Sequence, residues 1–184
     1  GRPFFAGAAR VIAATARERM KATAWVPADR MVVVHWPVQV PSAAADEAAR
    51  AGFRAARGIP GEARVLFHAG RLHPMKRPGH TVEAFLRAKV PDCHLVVAGM
   101  EEGVSVASLE ALVPPEAHDR VHVVGPLAGA ELAAAFHAAD GFISLSHREN
   151  FGYSFAEALA HGLPAMRYWS LARVLAARGH HVTW

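Results

Sequence analysis

A single cysteine, Cys93, excludes an internal disulfide, and nothing at finger-like spacing around it suggests a cysteine-based metal site. No apolar run approaches the roughly 20 residues that cross a bilayer. The first residues also lack the ordered regions of a secretory signal peptide. These absences point to a cytoplasmic protein without a transmembrane segment. The formal net charge of +4 and pI near 9.8 also suit a peripheral position on an acidic membrane surface. A basic balance favours an anionic ligand, but these cations are scattered without interleaved aromatics, which argues against nucleic acid. No Gly-x-Gly-x-x-Gly follows a strand candidate, which argues against a dinucleotide oxidoreductase. There is no internal repeat. The 184 residues suffice for one good core and fall short of an enzyme built from two such domains.

What is present is a regular alternation. From about Val65 onward, short apolar and β-branched runs at 65–69, 94–98, 121–124, 141–145 and 163–166 alternate with helical patterns. Runs that are apolar on successive residues read as strands covered on both faces, and the alternation as βαβ units of a parallel sheet. Val82, Phe85, Leu86 and Val90 repeat at helical spacing, as do Leu132, Ala135, Phe136 and Ala139. Further helices are predicted at 105–112, stopping at Pro114-Pro115, and at 153–160, closed by Gly162. Upstream, 11–14 reads as a strand, 15–24 as a helix, 31–35 as a strand, 38–45 as a linker and 46–57 as a helix ended by Gly58. The expected fold is α/β, a Rossmann-like parallel sheet with helices on both faces.

In an open parallel sheet, ligands bind outside the carboxyl ends of the strands. The first strand candidate is followed by Gly70 and Arg71, with Lys76 five positions on; the second by Gly99; the third by Gly125; the fourth by 146–152. Glycine lets backbone approach a ligand closely. Arg71 offers a planar fork of donors and Lys76 a point charge, a pair that matches the charges of a diphosphate. Glu149-Asn150-Phe151-Gly152 leads into a helix whose first N–H groups can face an oxyanion. Glu149 and Glu157 would repel a phosphate but accept well from paired hydroxyls, which makes a ribose or a hexose their natural partner. The plainer readings are a solvated or salt-bridged arginine and a glutamate that complements the helix dipole. His118 and His122 flank the start of a strand candidate and read as surface residues. No metal ligand set is expected.

The stretches RVLFHAGRLHPMK (64–76) and HRENFGYSFAEALAHGLP (147–164) resemble the carboxyl-terminal, nucleotide-sugar-binding domain of retaining glycosyltransferases with the two-domain B-type fold, family 4-like. These are the enzymes related to sucrose synthases, phosphatidylinositol mannosyltransferases and bacterial polysaccharide glycosyltransferases. The resemblance covers roughly 11–165, and the Glu-x7-Glu element is Glu149 and Glu157. It implies that Arg71 and Lys76, beside Gly70, hold the donor diphosphate and stabilise the leaving nucleotide. It implies that Glu157 accepts from the ribose, that Glu149 with the backbone of Asn150, Phe151 and Gly152 contacts the transferred sugar, and that 123–127, with Val124, borders the base. No cofactor is implied beyond the nucleoside-diphosphate-sugar donor. The acceptor is unnamed, and its binding half would come from a second domain or chain.

Two departures are local. The lysine is normally followed by glycine, where this chain has Arg77-Pro78, and a proline common before the loop serine is Leu145. On this reading 1–40 is the remnant of an acceptor domain and its crossover linker, 41–165 the donor domain, and 166–184 an atypical tail. The tail resembles either a helix-strand unit of the amino-terminal domain, in a rearranged, engineered or truncated chain, or a divergent continuation of the same sheet. The expected function is a glycosyltransferase donor domain, inactive alone. The alternatives are an epimerase acting on nucleotide sugars and a non-catalytic folding or assembly module.

Overall fold

The computed structural model describes residues 5, 7–38, 47–147, 149 and 151–167. The chain divides into two compact units, Gly1–Gln39 with Glu149–Tyr153, and Val40–Arg148 with Ser154–Trp184. Among the described residues no helix is long and apolar enough to cross a membrane.

The first unit holds one βαβ turn. Strands β1 (Val11–Ala13) and β2 (Met31–Val33) pair in parallel, Val11 opposite Met31, and helix α1 (Ala16–Ala22) connects them. Thr15 caps that helix by accepting the Glu18 N–H at 3.0 Å, while the Glu18 carboxylate accepts the Ala14 N–H at 2.7 Å. This is close to a reciprocal capping box, and it satisfies two donors that the helix start leaves open. Ala13, Val26 and Met31 form a small core. The expected strand, helix and strand are present, each ending one or two residues early. The linker at 38–45 lies outside the described residues from position 39.

The second unit is built on five parallel strands: β3 (Arg64–Ala69), β4 (Cys93–Ala98), β5 (Val121–Val123), β6 (Gly141–Ser144) and β7 (Ala165–Arg167), in the order β5-β4-β3-β6-β7. Among the described residues the helices that accompany them are α2 (Glu47–Ala55), α3 (Pro78–Ala88), α4 (Val106–Glu110), α5 (Gly129–Ala138) and α6 (Tyr153–Ala160). Each sheet face is covered. On one side Phe53 of α2, Phe136 of α5 and Ala158 of α6 pack on Val65, Phe67, Val96 and Phe142. On the other, Val82 and Phe85 of α3 and Leu109 of α4 pack on Leu95 and Val97. Every residue of β4 is buried, as its unbroken apolar run predicts. Phe67 meets Phe136 edge-to-face at 5.1 Å, a favoured aromatic geometry.

Some boundaries differ from expectation for visible reasons. Helix α3 starts at Pro78, with proline's fixed φ suited to a first turn. It stops before Val90 because Lys89 is left-handed at φ 47, and Val90 is therefore off the buried stripe and 38% exposed. Strand β7 begins two residues later than predicted. Leu163 is instead buried beside the C-terminus of α6, and the Pro164 carbonyl accepts the Phe142 N–H at 2.9 Å. Of the predicted tail unit, 166–184, Met166 and Arg167 belong to β7, and 168–184 lie outside the described residues.

Helices α2 and α5 are clamped by a buried cation. Arg54 is 3% exposed and donates to the carbonyls of Gly61, Ala63 and Ala138 at 2.7 to 2.8 Å and to Asp140 Oδ2 at 2.8 Å. Ala138 ends α5, so the guanidinium sits where that helix dipole is negative. Asp140 also accepts from Arg50 and from the Val65 N–H, each at 2.8 Å. Burial alone would raise the Asp140 carboxyl. The Arg50 and Val65 hydrogen bonds and the charges of Arg50 and Arg54 outweigh it and hold Asp140 below the ordinary value.

Candidate functional site at the carboxyl edge of the parallel sheet

The strand order fixes where a ligand can enter. From β3 the chain runs outward through β4 to β5, then returns across to β6 and β7, so the order reverses between β3 and β6. In doubly wound sheets the crevice for ligands opens at that reversal, outside the carboxyl ends. The two loops that flank it follow β3 and β6. They are tied together: the Met75 carbonyl accepts the His147 N–H at 2.9 Å and the Ser146 hydroxyl at 3.3 Å.

Gly70, Arg71 and Lys76 all lie on the loop after β3. Lys76 closes a short 3-10 turn, Pro74–Lys76, capped by the His73 ring, which accepts the Met75 N–H at 3.0 Å. Arg77 follows in the left-handed region at φ 54, with Nη2 3.2 Å from His147 Nδ1, so the residue that departs from the expected pattern faces the neighbouring loop. Arg71 is 56% exposed and donates from Nη1 to both oxygens of Glu102 at 2.6 Å. The salt-bridged alternative for this arginine is thus the one the structure shows.

The remaining predicted residues divide between the units. Glu157 is one turn into α6, half-buried, and burial holds its carboxyl above the ordinary value, offset in part by His161. Val124 extends the β5 ladder by one bond, its N–H to the Val97 carbonyl at 2.9 Å, and packs against the core beyond the strand. Glu149, Phe151 and Gly152 belong to the first unit. There the Phe151 ring lies 6.4 Å from that of His35, and Gly152 is buried with φ 77. Asn150 lies outside the described residues.

Three features escaped the sequence reading. The first is Glu102, four residues beyond the end of β4 on the same sheet edge; the adjacent carboxylates Glu101-Glu102 were the available signal. The second is the reason for Gly99. A Cβ there would lie 1.7 Å from the Gly70 carbonyl oxygen, so glycine is required by the neighbouring backbone rather than by a ligand. The third corrects the surface reading of His122. It is half-buried within β5 with Nε2 3.1 Å from His94 Nδ1, and desolvation, then the charges of His94 and Arg57, push it down to about 4. His118, by contrast, is exposed as expected, with Nε2 2.9 Å from the Val113 carbonyl oxygen. Among the described residues no group of three or more His, Cys, Asp or Glu is placed to hold a metal ion.

The family model described as "Glycosyl transferases group 1" matches residues 50–168. The chain belongs to this glycosyltransferase family. It is 35% identical over 121 residues to the D-inositol 3-phosphate glycosyltransferase of Mycolicibacterium gilvum (strain PYR-GCK), a match covering 64% of this chain and 27% of that protein. The same enzyme of Mycobacterium tuberculosis (strain ATCC 25177 / H37Ra) is 36% identical over 121 residues, covering 64% and 25%. Among solved structures, Anabaena Alr3699/HepE in complex with UDP-glucose superposes with a TM-score of 0.74 at 20% identity, covering 86% of this chain and 44% of that one. WaaG, a glycosyltransferase involved in lipopolysaccharide biosynthesis, gives 0.67 at 20% identity, with the same 86% and 44% coverage. The glycosyltransferase chain therefore spans about a quarter of the curated relatives it matches and less than half of those structures. Its fold is the Rossmann-like carboxyl-terminal type of the B-fold glycosyltransferases.

Proposed function

We propose that this glycosyltransferase chain binds a nucleoside-diphosphate sugar in the crevice between β3 and β6, as the donor half of a retaining enzyme whose acceptor half lies in further sequence or a second chain. The observation that carries the reading is the reversal of strand order, with Gly70, Arg71 and Lys76 emerging on the loop that flanks it. Arg71 and Lys76 pair with the diphosphate. As the glycosidic bond breaks, negative charge grows on the departing phosphate, and cations already in place lower the barrier. This reading invokes no metal or cofactor.

Glu157, partly desolvated, gains most from donors that come to it, and ribose hydroxyls are donors of that kind. Val124, at the end of the β5 ladder, borders the base, and for the transferred sugar the family resemblance alone names Glu149, Asn150, Phe151 and Gly152. The UDP-glucose-bound HepE structure and the inositol 3-phosphate glycosyltransferase relatives make UDP and inositol phosphates the first donor and acceptor classes to try. A cytoplasmic setting fits the single buried thiol.

The test is a thermal-shift screen with UDP, GDP, ADP and their glucose and mannose conjugates. A ligand at about 100 times its Kd stabilises by about 2.7 kcal/mol, worth roughly 5–10 °C in a chain of this length. One base class should produce that shift. No shift with any of them at millimolar concentration sinks the proposal. Sugar released in epimerised form without an acceptor would instead favour an epimerase.

A further inference from the structure

The Arg71–Glu102 pair has a consequence for donor binding that rests on the reading of Arg71 as a phosphate ligand. Both partners are largely exposed, yet their approach is set by backbone rather than chance. Leu72, next to Arg71, donates its N–H to the Met100 carbonyl at 2.7 Å, and its own carbonyl accepts the N–H groups of Glu102 and Val104 at 3.1 and 3.0 Å. Gly103, at φ 83, lets the chain turn between those two bonds. The adjoining helix start is fixed as well: Ser105 and Ser108 form a capping box at the head of α4, and Glu101 accepts the Val106 N–H at 2.6 Å. The segment carrying Glu102 is therefore pinned on both sides beside the segment carrying Arg71.

A carboxylate with both oxygens on Nη1 takes two of the five guanidinium donors and neutralises the charge that a phosphate would otherwise meet. We infer that Glu102 is an internal competitor for Arg71, which the donor diphosphate must displace, and that Glu102 thereby sets the affinity for the donor. An exposed pair of this kind is weak, which lets a doubly charged ligand displace it. Glu101 supplies a built-in comparison. It carries the same charge one residue away, but its carboxylate is engaged by the α4 N-terminus and not by Arg71.

The experiment is calorimetric titration of the full chain with UDP, GDP and ADP, in wild type, Glu102→Gln, Glu102→Ala, Glu101→Gln and Arg71→Ala. Glu102→Gln and Glu102→Ala should each bind the preferred diphosphate about two- to five-fold more tightly than wild type, the range released by breaking one exposed pair. Glu101→Gln should stay within experimental error of wild type, and Arg71→Ala should bind much more weakly. Wild-type binding with no gain in either Glu102 variant, or with an equal gain in Glu101→Gln, overturns the competitor role and leaves the donor-site reading standing. Binding by Arg71→Ala equal to wild type, or no binding by wild type, removes both.

Discussion

Arg54→Ala is expected to cost about 2–5 kcal/mol of folding free energy, at roughly 1–3 kcal/mol for each buried carbonyl left without its donor, with Asp140 partly exposed and still paired. A domain has only about 5–15 kcal/mol in hand, so the variant should lose a large share of its stability and unfold at a clearly lower urea concentration. The effect is large because the loss is not one contact. The carbonyls of Gly61, Ala63 and Ala138 lose their donor together, and Asp140 keeps only Arg50 and the Val65 N–H. Arg54→Lys should recover little, since a single ammonium cannot reproduce a planar fork with five donors. Urea unfolding measures this, and a loss below about 1 kcal/mol would show that the clamp is incidental. The same cluster predicts the acid limb of stability. Asp140 titrates lower folded than its ordinary 3.8, so its contribution is complete above that value and is lost as pH falls through the depressed folded value. Asp140→Asn should flatten that limb.

Gly99→Ala is expected to be the most damaging single-methyl change. The added carbon would meet the Gly70 carbonyl oxygen at 1.7 Å, a backbone atom that cannot swing aside as a side chain would. Overpacking costs about 1–3 kcal/mol when side chains can give, and here the ends of β3 and β4 must separate, so the cost should reach or exceed that range. Gly99 also donates its N–H to the Gly125 carbonyl at 2.7 Å, and Gly70 donates to the Ala98 carbonyl at 3.0 Å. Forcing them apart moves Arg71 and the loop to Lys76. The variant should therefore lose diphosphate binding even where it remains folded, as read by unfolding and calorimetry on the same sample. Normal stability with normal binding would contradict the close approach.

The architecture was legible because strands with both faces covered appear as unbroken apolar runs, as in β4, and because helices such as α5 and α6 carry their own period and stops. The rim was legible for a simpler reason: a parallel sheet puts every strand's carboxyl end on one side, so Gly70, Arg71, Lys76 and the loop after β6 had to share an edge. What stayed hidden depends on register across long separations. Arg54 reads as one more cation on an arginine-rich helix until α2 packs on α5 and brings it to Asp140, 86 residues away. Glu102 meets Arg71 across 31 residues, and His94 meets His122 across 28, through the pairing of β4 with its neighbours. Gly99 was noticed for the right property and the wrong neighbour, since a ligand and an adjacent carbonyl make the same demand on a sequence.

The central claim is that Arg71 and Lys76 together hold the diphosphate of an activated sugar. Its most direct test is a calorimetric titration of wild type and of the Arg71→Ala/Lys76→Ala double variant with the diphosphate selected by thermal shift. Two charge-assisted contacts at about 1.5–3 kcal/mol each predict a loss of about 100-fold or more in affinity, with the melting temperature of the free protein nearly unchanged. Equal affinity in the two proteins would contradict the account.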